Sequence, residues 1–283
     1  MNAKVKVARL SVISNTSLIV IKLVAGIMSG SVSIISEAIH SSMDLLAAII
    51  AYFSVRVSDT PADEKHPYGH GKIENVSGVI EALLIFVAAI WIIIEAVKKF
   101  GSHEPLDSLW VGVLVMFVSG VVNFFVSKRL YKVAKETDSL ALEADALHLK
   151  TDVITSLGVS LGLLLIWLTG IVWLDPVAAI LVALFILRES YFLLRKAFMP
   201  LLDIAWEKED VERLLSVISK NNVKAHDLKT RKSGNYRFVD FHIEMSANMR
   251  LGDVHSLCDE IEEAIKKEFK HTVITIHPEP VTD

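Results

Sequence analysis

Long apolar stretches separated by short polar segments fill the first 200 residues of the chain, and this pattern ends near Ile204. An α-helix needs about 20 mostly apolar residues to cross the hydrocarbon core of a bilayer. Six stretches reach that length, although the first half of the fifth carries several charged residues. The pattern predicts six membrane-spanning helices, at roughly 9–30, 32–55, 76–97, 108–127, 139–168 and 172–194.

Basic residues are distributed unevenly between the two sets of helix ends. Twelve lysines and arginines flank one set, whereas only Lys98 and Lys99 flank the other. In membrane proteins the cytoplasmic loops carry the excess of Lys and Arg. We therefore expect both termini to lie in the cytoplasm.

After Ile204 the periodicity becomes that of a small water-exposed domain. A charged helix start is followed by two strand-like runs joined by the turn-forming sequence Lys-Ser-Gly-Asn, then by a second helix and a last strand. The order αββαβ is typical of a ferredoxin-like α+β fold. We predict an all-α transmembrane domain of six helices over residues 1–203 and a cytoplasmic α+β domain over residues 204–283. The predicted strands are 225–231, 236–246 and 272–279, and the second helix is 252–269.

Composition excludes several classes of protein. The net charge is -4 without a basic stripe, so we expect no nucleic-acid partner. The single cysteine, Cys258, excludes intramolecular disulfides and Cys-x-x-Cys metal sites, and its helical spacing from Val254 and Ile261 predicts a core position. The chain also lacks the Gly-x-x-x-x-Gly-Lys-Ser/Thr loop that an ATP-driven pump needs.

The pattern His-x-x-x-Asp occurs twice within apolar stretches, as His40 with Asp44 and as His148 with Asp152. A spacing of four places both side chains on one helix face. Ionisable side chains at membrane depth cost about 2.5 to 3.5 kcal/mol each on insertion scales, so they are rare there and usually functional. The two predicted helices are antiparallel, and two imidazoles with two carboxylates suit a tetrahedral metal such as zinc. The alternative is that each pair is only a structural ion pair, or that the pair of the fifth helix lies in the cytoplasmic interface, where a charge costs little.

A second group of metal-ligand residues, Asp63, His66 and His70, lies in the loop between the second and third predicted helices. Imidazole with carboxylate suits zinc. A polar loop with two histidines is more often only a loop, and this alternative stays open.

A third group lies on the strands of the tail. Alternation places His242 and His277 on the sheet face opposite the apolar stripe of Val239 and Phe241. With His226 and Glu279 they form a second candidate metal cluster. The alternative is a pair of solvated histidines.

These motifs together resemble the cation diffusion facilitator family of divalent-metal/proton antiporters over nearly the whole chain. The resemblance rests on the runs Ser29–Asp44, His66–Lys72 and Ala144–Asp152 and on the αββαβ tail. It implies a transport site near the middle of the membrane and a further site in the loop. The implied transport ligands are His40, Asp44, His148 and Asp152, and the implied loop ligands are Asp63, His66 and His70.

The resemblance also implies a homodimer with metal bound in its tails. His226, His242, His277 and Glu279 match a cytoplasmic cluster that bridges two protomers, and His255 falls near it. Glu279 stands where an Asp is often found, which keeps the carboxylate and lengthens its reach. Lys72 and Asp203 match positions that resemble an interlocking salt bridge at the membrane face of the dimer.

The function that the resemblance implies is secondary active export of Zn²⁺, or of other divalent transition metals, in exchange for protons by alternating access. The expected location is the inner membrane of a bacterium. Bacterial zinc/cadmium members often have Asp where His40 stands, and a second imidazole favours borderline metals over manganese. Zn²⁺ would be both substrate and structural or regulatory ion. A passive metal channel is one alternative; an intramembrane metalloenzyme is less favoured, because no His-Glu-x-x-His motif occurs.

Overall fold

The computed structural model describes residues 3–29, 32–99, 109–169, 174–221 and 223–281. For some helical residues in these ranges it describes the backbone and not the side chain. The chain divides into two compact units, residues 1–198 and 199–283. The division lies five residues before the predicted boundary. Each unit is described separately below.

The described part of the first unit contains six long helices, which agrees with the six that the apolar stretches predict. Four of them, α1, α2, α3 and α6, contain segments long and apolar enough to cross a membrane. Parts of α4 and α5 have no described side chains, so membrane crossing by these two helices stays a prediction. The helices are α1 (Ala3–Ser29), α2 (Val32–Ser58), α3 (Lys72–Lys99), α4 (Leu109–Thr137), α5 (Leu140–Thr169) and α6 (Leu174–Phe198).

Small residues line the helix contacts of this unit, and large apolar side chains cover its outside. Ala48 of α2 and Ala82 of α3 are fully buried, whereas Trp91 and Phe125 are exposed. This is the arrangement expected in lipid, because close approach of helices depends on small side chains when the solvent is as apolar as leucine. The helix pairs with the most extensive contacts are α1 with α2, α3 with α6 and α4 with α5.

A buried polar network joins the ends of four helices around Glu74, which lies in the first turn of α3. Lys4 Nζ of α1 lies 3.1 Å from Glu74 Oε1 and 3.1 Å from Asp59 Oδ1, just after α2. Ser58 Oγ donates a hydrogen bond to Glu74 Oε1 at 2.7 Å, and Ser139 Oγ donates one to Oε2 at 2.5 Å. The buried carboxylate therefore has a counter-charge and several donors.

The second unit has the predicted order αββαβ. After a short 3₁₀ turn, two helices pack on one face of a three-stranded sheet in the order β1-β2-β3. β1 and β2 are antiparallel, β2 and β3 are parallel, and Gly234 makes the tight β1–β2 turn with φ +59°. The elements are α7 (Lys208–Ser219), β1 (Lys224–Ser233), β2 (Tyr236–Met245), α8 (Leu251–Glu268) and β3 (Thr272–Pro280).

Strand alternation determines the core of this unit. Val239, Phe241 and Ile243 of β2 are buried against Ile261 and Ile265 of α8. Cys258 is half-buried beside this core, as predicted, and burial raises the pKa of its thiol. Residues that alternate with the stripe on β2, including His242, therefore face away from the core.

Candidate metal sites

Helices α2 and α5 bring three ionisable side chains together inside the first unit. One ligand atom each of Asp44, His148 and Asp152 lies within 4.8 Å of the others. His148 Nε2 is 3.2 Å from Asp44 Oδ1, and Asp44 is only 7% exposed. His148 and Asp152 are one turn apart on α5, so one helix presents both to the facing carboxylate of α2. We name this group the buried ligand group.

His40, the fourth predicted ligand, lies one turn before Asp44 on α2, and its side chain is outside the described residues. Its participation therefore stays a prediction. The three described members already have a suitable charge for a divalent ion, since two ionised carboxylates carry two negative charges and neutral imidazole carries none. Burial of these groups is tolerable only when such charges are compensated.

The loop group, Asp63, His66 and His70, is also brought together, with its ligand atoms within 4.8 Å of one another. His66 Nδ1 lies 3.1 Å from Asp63 Oδ1, and His70 Nε2 lies 3.5 Å from Asp63 Oδ2. Asp63 shapes this loop, because its side chain accepts hydrogen bonds from the backbone N–H groups of Lys65 and His66. Hydrogen bonding by the backbone of His66 is the main cause that lowers the pKa of Asp63. Asp63 and His66 are exposed.

Three strands build the third group, His226, His242 and Glu279, which we name the sheet cluster. His226 pairs with His242 across β1 and β2, and Glu279 of β3 is two residues from the partner of His242. The two carboxylate oxygens of Glu279 contact both rings, with Oε2 3.1 Å from His226 Nε2 and Oε1 3.0 Å from His242 Nδ1. Adjacent strands are about 4.8 Å apart, close enough for side chains on one face to share an ion.

His277 lies beside the sheet cluster, and His255 does not join it in the described structure. The ring of His277 is 4.7 Å from that of His242, and its Nε2 is 3.6 Å from Glu279 Oε1, but its side chain is 64% exposed. His255 lies on α8 beside Asp259, and its side chain is 76% exposed.

Two carboxylates next to the sheet cluster were missed in the sequence. Asp227 Oδ2 is 3.7 Å from His242 Nε2, and Glu244 Oε1 is 3.9 Å from His226 Nδ1. Asp227 has φ +47° within an irregularity of the β1–β2 register. Its neighbour Lys229 donates a hydrogen bond at 2.8 Å, which lowers the pKa of Asp227. The adjacency of His226 and Asp227 was the available signal.

Lys72 and Asp203, the residues of the predicted dimer salt bridge, lie in different units. Lys72 is the first residue of α3. Asp203 follows the 3₁₀ turn with φ +54°, and its Oδ1 is 3.8 Å from Arg231 Nη1. Their pairing in a dimer stays a prediction.

Apolar helices around a buried set of metal ligands are the features of an integral membrane protein that handles cations. Residues 8–202 match the family model described as the cation efflux transmembrane domain, and residues 206–281 match that of the cation efflux protein cytoplasmic domain. The chain therefore belongs to the cation efflux family, which consists of membrane transporters. The resemblance to cation diffusion facilitators that the motifs indicated is confirmed.

Full-length relatives agree with this assignment. An uncharacterised transporter of Synechocystis, sll1263, is 35% identical over 93% of this chain and 86% of its own length. The cation-efflux pump FieF of Shewanella oneidensis is 32% identical over 97% of this chain and 93% of its own.

A partial match is found among solved structures. A chain from a structure of the putative zinc transporter CzrB is 33% identical, covers 28% of this chain and 100% of itself, and has a TM-score of 0.27.

Proposed function

We propose that this protein exports Zn²⁺ from the cytoplasm in exchange for protons, as a homodimer in the inner membrane with both termini cytoplasmic. The observation that carries the proposal is the buried ligand group, Asp44, His148 and Asp152, inside the helical unit of a cation efflux protein. With His40 it would offer four ligands, two nitrogen and two oxygen.

The ligand types favour zinc as the substrate. Zn²⁺ accepts imidazole nitrogen and carboxylate oxygen in a tetrahedral arrangement, whereas Mg²⁺ and Ca²⁺ prefer sets made only of oxygen. Cobalt, which shares the borderline character of zinc, and the softer cadmium are the expected competitors.

Proton exchange follows from the chemistry of the same ligands. A metal ion binds neutral imidazole and ionised carboxylate, so metal and protons compete for the site. Metal binding on one side releases protons, and protonation on the other side releases metal. If the site opens to each side in turn, a proton gradient drives zinc outward.

The sheet cluster and the loop group would have regulatory or structural roles. We propose that His226, His242, His277 and Glu279 hold zinc at the interface between two tails, with His255 nearby, and that Lys72 pairs with Asp203 in the dimer. An open cavity of about 740 Å³, lined by His226, His277 and Glu279 among others, flanks the sheet cluster and leaves room for groups from a second chain. Asp63, His66 and His70 would hold a further ion in the loop.

Replacement of Asp152 by Ala tests the proposal. Proteoliposomes with D152A should lose zinc flux at least tenfold, because one of two compensating carboxylates is removed from a buried site. Glu95→Gln, a surface carboxylate of α3 paired with Lys98, is the matched control and should transport normally. Retained zinc flux in D152A would contradict the assignment. Zinc flux without proton movement in the unaltered protein would favour a passive channel.

A further inference from the structure

A partly open groove of about 560 Å³ lies between α4, α5 and α6, and no member of the buried ligand group lines it. All three helices belong to the region that matches the cation efflux transmembrane domain. Ser127 Oγ of α4 donates a hydrogen bond to the backbone oxygen of Ala146 of α5 at 2.7 Å, which joins these two helices at the groove. The volume is in the range of about 300 to 1,000 Å³ that is usual for small-ligand sites.

The groove has a surplus of positive charge. Three lysines and two glutamates line it. Glu143 Oε2 lies 2.6 Å from Lys196 Nζ, and Glu189 Oε1 lies 3.1 Å from the guanidinium of the preceding residue, so both carboxylates are paired. Lys128 and Lys150 are exposed and have no ion-pair partner in the part of the chain that the structure describes. The groove therefore repels cations and suits an anionic ligand.

The remainder of the groove is apolar. Phe124 and Phe192 line it and are exposed, and Leu147 of α5 is half-buried beside them. Phe124 lies within the apolar stretch predicted to cross the membrane, and Lys128 follows one turn later, outside that stretch. Phe192 and Lys196 repeat this order on α6. Residues four apart lie on one helix face, so a ligand that fits this groove has an anionic end and an apolar end.

The charged end of the groove lies where lipid headgroups are expected. It is formed by the end of α4, the start of α5 and the end of α6, which face the cytoplasm in the proposed orientation. The cytoplasmic leaflet carries anionic lipids, and basic pockets between membrane helices on that side bind their headgroups. Tyr131 also lines the groove, and tyrosine is enriched at the membrane–water interface.

We propose that this groove binds one anionic phospholipid, with its phosphate between Lys128 and Lys150 and an acyl chain along Phe124 and Phe192. The long lysine stems can lie along the apolar lining while their ammonium groups reach the headgroup. Lys150 is two residues from each of the two α5 members of the buried ligand group, so it lies on the opposite face of that helix. The lipid therefore contacts the same turn of α5 that presents both metal ligands.

Titration of the purified full-length protein with phosphatidylglycerol, followed by native mass spectrometry, tests the proposal. Lys128→Gln combined with Lys150→Gln removes both unpaired charges and keeps residues that favour helix. Its affinity for phosphatidylglycerol should fall at least about tenfold, because each lysine near an anionic headgroup contributes to binding. Lys6→Gln combined with Arg9→Gln removes two exposed charges of α1 that do not line the groove, and it should bind normally.

Two further probes of the unaltered protein do not depend on the folding of a variant. Phosphatidylcholine has the same acyl chains without net charge and should bind at least about tenfold more weakly than phosphatidylglycerol. Glycerol phosphate, which has the anionic group without acyl chains, should also bind more weakly, because it buries no apolar surface.

Three results would overturn the proposal. An equal loss of affinity in the α1 control, or equal affinity for the two lipids, would show that the groove does not select an anionic headgroup. Equal affinity for glycerol phosphate would identify a site for a soluble phosphate compound instead of a lipid. The titration uses neither metal nor a proton gradient, so its result is independent of the proposed zinc–proton exchange.

Discussion

The buried ligand group and the sheet cluster use the same side-chain chemistry in opposite surroundings. The first lies among helices of the membrane unit, with Asp44 only 7% exposed. The second lies on the outer face of a sheet whose other face holds the apolar core, and its side chains are partly exposed. Removing a partner from the buried group leaves a charge that water cannot solvate, whereas water can solvate the sheet cluster. The comparison teaches that the same types of side chain can be essential for metal binding in the membrane unit and dispensable for folding in the second unit.

The largest difference should appear when one carboxylate is removed from each group. Asp44→Asn should lower zinc affinity at the membrane site at least a hundredfold, because a buried divalent ion then keeps one negative ligand of the two described. Glu279→Gln should lower affinity at the sheet cluster less, since water can replace a ligand there. Isothermal titration of the purified full-length protein with zinc measures both changes. Equal losses of affinity would remove the contrast between the groups.

The next effect concerns charges that hold the fold together. Glu74→Ala leaves Lys4 buried without one of its two carboxylate partners, so we expect a loss of about 3 to 5 kcal/mol in the stability of the membrane unit. Arg213→Ala in the second unit removes an exposed pair with Glu268 and should leave the melting temperature nearly unchanged. Thermal unfolding in detergent compares the two variants. A larger shift for Arg213→Ala would show that burial does not determine these contributions.

A smaller effect is expected from His242→Ala combined with His277→Ala. The second unit should still fold, because its core lies on the opposite sheet face. Zinc-dependent association of two tails should weaken several-fold, as measured by energy transfer between labelled chains. Lys266→Ala on α8, an exposed residue that pairs with Glu262 and lies away from the sheet cluster, is the control. Unchanged association would favour the interpretation of these residues as solvated histidines.

The smallest effect should come from the loop. Asp63→Ala removes the acceptor of two backbone hydrogen bonds in an exposed segment. Substitutions on the surface usually have small effects, so zinc flux should change by less than about twofold. Flux assays in proteoliposomes measure it against His66→Gln, which keeps the acceptor. A tenfold loss in either variant would give the loop group a direct role in transport.

Local pattern was sufficient to predict the six long helices and the αββαβ order of the elements in the tail. Helix ends were less predictable. α4 continues to Thr137, beyond the predicted end at 127, because the residues that follow are mostly Lys, Arg, Leu, Ala and Glu, which have high helix propensity. Strand alternation correctly placed Val239 and Phe241 in the core and His242 opposite. Asp227 could not be placed, since an irregularity in the register brings it to the cluster.

The groove between α4, α5 and α6 was also beyond the sequence. Lys128 and Lys150 lie on different helices, and only the packing of α4 against α5 and of α5 against α6 brings them to one groove. Tertiary contacts between helices therefore supplied what periodicity could not.

The central claim is that the buried ligand group couples zinc to protons. The most direct test is a panel of divalent metals presented to proteoliposomes that contain the protein and a trapped pH-sensitive dye. We expect zinc entry to be accompanied by proton movement in the opposite direction, with weaker signals for manganese and none for D152A. Zinc entry with no change of internal pH, or an equal proton signal in D152A, would contradict the account.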